Sequence, residues 1–298
     1  MKTLNALVER NTKLFFKDKG LFFTALITPM ILLVLYASFL GNIYKDSFLM
    51  SFPAQLVPEE ALVNGFVGGQ LISSILAVSC VTVAFCSNML MVQDKANGTI
   101  RDLTISPVKH SVLATSYYLA TLLSTLLICL TATVVCLGYL AVVGFYLSLA
   151  DILCLLLDVL LLTMFGTALS AVIGYFLNTQ GQISAVGSII SSVYGFICGA
   201  YMPISQFPEA LQKIVAFLPG TYGTALIRTH ALSGVFRAMT AEGYPEELIE
   251  LTASSVDCNI YFFDHKVSLP VMYLILGGSM LLLLGIYVLL NRRKRKEK

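Results

Sequence analysis

Charge is scarce in this chain: Asp, Glu, Lys and Arg make up only 12% of its 298 residues, about half the share found in soluble globular domains. Hydrophobic residues reach 57% and mean hydropathy is +0.83, which excludes a water-soluble domain. Several kinds of chemistry are excluded by missing motifs. No G-x-x-x-x-G-K-[ST] occurs, and no Gly-Lys dipeptide anywhere, so no Walker loop can cradle nucleotide phosphate. H-E-x-x-H and G-x-S-x-G are also absent, and His110, His230 and His265 lie in separate segments, which argues against a metalloprotease or a serine hydrolase. Cys80, Cys86, Cys129, Cys136 and Cys198 fall within apolar runs, and no two cysteines form a C-x-x-C pair. Neither a metal site nor a disulfide framework is predicted. The chain reads as a non-enzyme that binds no cofactor of its own.

What is present is a set of six apolar runs, near 21–41, 66–92, 113–143, 152–177, 182–204 and 269–290. Each is long enough to cross a hydrocarbon core of about 30 Å, which takes roughly 20 helical residues. The runs are continuous rather than alternating, which favours helices over a barrel. The predicted fold class is therefore all-α and polytopic, with six transmembrane helices. The first run exceeds the apolar core of a signal peptide and is expected to be retained. Before it, Leu4, Leu7, Val8, Leu14 and Phe15 recur at helical spacing beside Arg10, Lys13 and Lys17. That pattern reads as an interfacial helix over 1–20, or as a charge cluster that only sets topology.

Basic residues concentrate in the N-terminal segment, the 93–110 loop (Lys95, Arg101, Lys109) and the tail NRRKRKEK. The positive-inside rule makes these segments cytoplasmic, with both termini inside, and the cytoplasmic membrane is the expected location. The net charge of +2 then reflects topology, and no nucleic-acid partner is implied.

Within the runs, Pro29 predicts a kink, and the small and hydroxyl residues of 66–92 predict a helix packed inside the bundle. Asp158 lies in an apolar run with Asp151 seven residues earlier on the same face. A mid-membrane carboxylate costs about 2.5–3.5 kcal/mol, so Asp158 either works in a transport pathway or sits protonated or solvated in an outer vestibule. Gly187, Ser191, Gly195 and Gly199 form one small-residue stripe, and Ser184, Ser188 and Ser192 another. Such stripes serve packing within one bundle or against a second subunit.

After 204, Phe207, Leu211, Ile214, Val215 and Leu218 share one face of a helix opened by Pro208 and Glu209. It is too short to cross. Pro219-Gly220 separates it from a second short helix, Tyr222 to Leu232, that ends before Gly234. The pair reads as a re-entrant or interfacial hairpin on the outer side. The acidic remainder, 235–268, is expected to be a solvated extracellular segment or a surface for cargo or a partner.

The loop QDKANGTIRDLTISPVKHSVL resembles the signature of ABC-2 type transporter permeases, with Gly98, Thr99, Ile100, Leu103, Ser106, Pro107 and Val108 matching. The stretch MPISQFPEALQKIVAFLPGTYGTALIR is similar to that family's outer element, through Pro203, Pro208, Pro219 and Arg228. There are departures: Arg101 stands where an acid is common, Asp94 replaces glutamate, and Ser116 replaces a frequent lysine. The resemblance implies the transmembrane subunit of an ATP-binding cassette exporter. It implies as partners a cytoplasmic ABC ATPase that carries the ATP and Mg, and a second copy or a homologous permease.

The resemblance makes 97–110 a coupling helix, with Asp94, Gly98, Thr99, Ile100, Arg101, Asp102, Leu103, Ser106 and Pro107 as its set. Its physics agrees: Gly98 permits a turn, Thr99 can cap, Asp102 suits the helix dipole, and Pro107 stops the helix. Asp158, Gly187, Ser191, Gly195 and Gly199 become candidates for pathway or dimer packing. The implied layout is one domain over 1–298: interfacial helix 1–20, spans 21–92, coupling loop 93–110, spans 111–204, hairpin and extracellular segment 205–268, last span and tail 269–298. The expected cargo is hydrophobic or amphipathic: a drug, lipid or peptide. The alternatives are a secondary transporter or channel without ATP, or another cargo such as a polysaccharide or an ion.

Overall fold

A backbone in hydrocarbon has to satisfy its own N–H and C=O groups, so the apolar runs fold as helices. The computed structural model describes residues 2–50, 52, 58–105, 108–263 and 265–293. Helix α1 (Lys2–Lys17) precedes α2 (Lys19–Leu35), which runs on through a π-helical turn (Tyr36–Leu40) into α3 (Gly41–Met50). Then come α4 (Glu60–Ala96), α5 (Thr99–Ile105), α6 (His110–Val143), α7 (Leu149–Phe176) and α8 (Gln180–Ile197). A 3-10 turn (Ile204–Gln206) leads to α9 (Glu209–Val215), α10 (Pro219–Ala241) and α11 (Glu246–Ser255). The antiparallel hairpin of β1 (Tyr261–Phe262) and β2 (His265–Lys266) precedes α12 (Leu269–Arg293).

Among the described residues, five helical stretches are long and apolar enough to cross a membrane: Lys19–Met50, Glu60–Ala96, His110–Val143, Leu149–Phe176 and Leu269–Arg292. The chain is an all-α multi-pass membrane protein. The apolar run expected over 182–204 folds as the shorter α8, 18 residues from Gln180 to Ile197. A capping box of Thr179 and Gln182 opens it, and Gly199, at φ +75°, turns the chain away after it.

Helix α4 is the axis of the bundle, with nearly all of its apolar length buried. It packs against α2, α6, α7, α8 and α10. Small residues make the approach possible: a Cβ on Gly166 of α7 would stand 2.8 Å from the Cys80 carbonyl oxygen. Asn88 then reaches across and donates to the Ser170 carbonyl at 2.6 Å.

One expectation needs correction at the α11 end of the bundle. The helix expected to stop at Leu232 runs through Gly234 to Ala241. Gly234 does not end it; a Cβ there would lie 2.1 Å from the Tyr146 carbonyl oxygen, so glycine is needed for a close crossing. The chain turns after α10 at Gly243, φ +84°. Segment 235–268, whose structure the sequence left open, holds the end of α10, α11 and the β-hairpin. Val235, Met239, Val256 and Cys258 close a second core with Phe48, Phe52, Leu62 and Phe66. Pro29 stays inside α2, and that rod leaves α geometry only at Tyr36–Leu40.

Candidate functional site

Short helix α5 follows the buried axis through a tight turn. Gly98 adopts φ +80°, and nothing lies within 4 Å of where its Cβ would be. Backbone conformation, not crowding, therefore calls for glycine there. Ile100 and Leu103 pack with Val108 and Val112 against Leu7, Met91, Val92, Leu113, Tyr117 and Ile183. Arg101, Asp102 and Ile105 point outward, and Ile105 is 82% exposed, a large apolar side chain at the tip of a polar helix. Thr99 is the first residue of the helix, and Ser106 and Pro107 lie outside the described residues.

Asp94 sits inside rather than on that outer face. Its carboxylate accepts from Arg10 of α1 at 3.0 Å and from the Tyr117 hydroxyl of α6 at 2.6 Å. Next to it, Lys95 Nζ donates to the carbonyls of Gly174 (2.8 Å), Tyr175 (2.9 Å) and Leu177 (3.2 Å), which closes the C-terminal end of α7. A cation on those last carbonyls complements the helix dipole. The two residues thus join the base of α5 to α1, α6 and α7.

From this base a groove of about 1080 Å³ runs between α2 and α8. It extends from Gln93, beside α5, past Met89, Ile31 and Phe39 to Thr252 and Ser255 of α11 and to Val256 just after it. No Asp, Glu, Lys, Arg or His is among its described lining residues. Ser184, Ser188 and Ser192, one turn apart on α8, supply a row of hydroxyls, and Gly187 opens space beside them. The other stripe divides. A Cβ on Gly195 would lie 2.3 Å from the Tyr201 ring, and one on Gly199 2.8 Å from the Asp257 carboxylate, so both are packed within the chain. The Ser191 side chain lies outside the described set.

Helix α10 carries the polar network. Arg228 has no exposed side-chain surface and donates to the carbonyls of Gly199 (2.7 Å) and Val256 (2.9 Å), to Asp257 (3.2 Å) and to the Ser74 hydroxyl (3.5 Å). Asp257, at φ +59°, also accepts from the backbone N–H groups of Ile204 (2.7 Å) and Ser205 (3.2 Å). Burial raises the pKa of its carboxyl, against the opposing pull of Arg228 and those two N–H groups. One guanidinium therefore ties together α4, α10, the end of α8 and the segment after α11. Pro203, Pro208 and Pro219 bracket the chain between: Pro203 precedes the 3-10 turn, Pro208 caps α9 and Pro219 is the first residue of α10.

On another face of α10, Arg237 grips both carboxylate oxygens of Asp151, and His230 Nδ1 lies 2.6 Å from Asp158. The Tyr273 hydroxyl of α12 donates to the second oxygen of Asp158, also at 2.6 Å. Asp158 is fully buried in this contact and does not line the groove. Sequence reading singled out Asp158 but not His230, Arg237 or Tyr273. The available signal was spacing: Asp151 and Asp158 are seven apart, and so are His230 and Arg237.

The chain is thus a helical multi-pass membrane protein with a groove along its bundle whose described lining carries no charge. The family model of the ABC-2 type transporter matches residues 2–231, and the chain belongs to that family. It is accordingly a transport component, and the family implies an ABC ATPase partner in general terms. No curated relative matches the chain.

Proposed function

We propose that the chain is the permease subunit of an ATP-driven exporter, moved by a separate ATPase that docks on α5 at the cytoplasmic side of the cytoplasmic membrane. Helix α8 is the sixth crossing, and α9 with α10 forms the re-entrant element on the outer side. Two permeases, identical or homologous, bring their grooves together, and a hydrophobic or amphipathic cargo travels along them. The observation that carries this reading is the groove, whose described lining carries no charge and which begins at Gln93 beside the base of α5 and ends under α11. Nucleotide chemistry stays on the partner, which holds ATP and Mg. Arg101 and Asp102 contribute exposed charge to the docking face and Ile105 an apolar contact.

The test is co-purification with the ATPase, followed by ATP-dependent efflux from vesicles. Reversing both charges, Arg101→Glu with Asp102→Lys, is expected to release the ATPase and stop efflux while leaving the melting temperature of the permease unchanged. Efflux that persists without any ATPase would instead favour a secondary transporter.

A further inference from the structure

Phe217, just after α9, packs its ring against Phe262 of β1 and Phe263 of the turn that follows it. Ring centroids are 5.1 Å from Phe262 and 6.0 Å from Phe263, and those two are 4.9 Å from each other. Two segments about 45 residues apart in the chain therefore make one aromatic unit, and its outer surface is bare. Ile214 and Phe217 are each 63% exposed, Phe263 50% and Tyr261 47%. Phe263 has φ +45°, a left-handed conformation that turns normally give to Gly, Asn or Asp. A bulky ring held there at a steric cost points to a use for the ring itself.

The surroundings indicate what covers it. The hairpin leads directly into α12, whose exposed residues Leu269, Val271 and Leu274 are apolar. From Leu269 to Asn291 the helix rises about 33 Å at 1.5 Å per residue, close to the roughly 30 Å of a hydrocarbon core. That places the aromatic unit at the boundary between hydrocarbon and headgroups at the α11 end. Among the described residues, Lys213 of α9 lies 2.6 Å from Glu209, and Lys266 of the hairpin 2.8 Å from Glu250. Aromatic residues are enriched at this depth, where apolar and wet surroundings meet.

We propose that α9 and the β-hairpin form a single aromatic wedge that inserts into the lipid interface at the α11 end, its occupant being phospholipid rather than water or another protein. The β-hairpin, which the sequence left open as solvated or as a surface for cargo or a partner, thus joins α9 in one membrane-binding site. It fixes the depth of α9 from outside the bundle, and it does not depend on the transport reading.

The chain contains no tryptophan, so one introduced indole reports alone. Full-length permease carrying Phe217→Trp, Tyr261→Trp or Phe263→Trp is reconstituted into phosphatidylcholine vesicles, with and without lipids brominated near the glycerol end of the acyl chain. Leu251→Trp, on the exposed face of α11, serves as the reference. The expected result is blue-shifted emission from all three wedge positions, quenched at least twofold by the bromolipid, with Leu251→Trp emitting as in water and unquenched. Quenching should be weaker when the bromines lie near the methyl ends. Water-like emission at the wedge positions would overturn the proposal. So would blue-shifted emission without quenching, which would mean burial against a second copy or another protein. Tyr261→Trp changes a half-exposed strand residue and keeps the test usable if either phenylalanine variant misfolds.

Discussion

His230 Nδ1 and the Asp158 carboxylate meet at 2.6 Å inside the bundle, one heptad from the grip of Arg237 on Asp151 along the same two antiparallel helices. Matching seven-residue steps on α7 and α10 fix the register of one helix on the other. Breaking a buried pair by deleting one partner typically costs about 3–5 kcal/mol. Asp158→Ala is expected to lose stability of that order, read as a lower melting temperature in detergent. Asp158→Asn keeps an acceptor for Tyr273 and should lose less than half as much, with transport falling only as far as folding does. Transport abolished at an unchanged melting temperature would return Asp158 to the pathway.

Arg228 should behave as a structural node. Arg228→Met leaves Asp257 buried without its countercharge, and a loss of about 3–5 kcal/mol is expected. With Asp257→Asn added, the two losses should fall short of additivity by 0.5 kcal/mol or more, as is usual for residues in one network. Additive losses in thermal unfolding would show that the two act independently.

Two glycines give opposite expectations. Gly234→Ala drives a methyl to within 2.1 Å of the Tyr146 carbonyl oxygen, a backbone atom that cannot step aside, and should lower yield and melting temperature sharply. Gly138→Ala on α6 meets nothing within 4 Å and should be neutral or stabilising by up to about 1 kcal/mol, the usual gain from replacing a helical glycine. Size-exclusion profiles and thermal melts of the two proteins decide the matter.

Ser188 lines the groove and lies on the exposed side of α8. Ser188→Trp should obstruct the groove and cut efflux at least tenfold with little change in melting temperature, whereas Ser188→Ala should leave both close to wild type. Undiminished efflux by Ser188→Trp would mean that cargo does not pass this row of hydroxyls.

Continuous apolar runs made the long helices legible, because length and hydropathy alone decide whether a segment can cross. The α5 turn was legible too, since Gly98 and the polar residues after it are local signals. Less could be read where pairing is remote. His230 and Tyr273 lie 72 and 115 residues from Asp158, and no local rule joins them. Gly234 misled for a physical reason: a glycine after an apolar helix usually marks its end, but here it serves a crossing that only the folded chain creates. The acidic composition after residue 240 hid a folded cap, because its core borrows Phe48, Phe52 and Phe66 from far upstream.

Helix α4 is 37 residues long without interruption, about 55 Å at 1.5 Å per residue. Its first turns bear Leu62, Val63 and Phe66, which belong to the cap core, and its last carries Asp94 and Lys95 beside α5. In the transport cycle proposed above it would serve as a crowbar. With the α5 end as fulcrum, a tilt of about 5° swings the opposite end through about 5 Å, close to one helical pitch. A displacement of that size exceeds the give of a packed interface, so the cap and the wall of the groove have to travel with it.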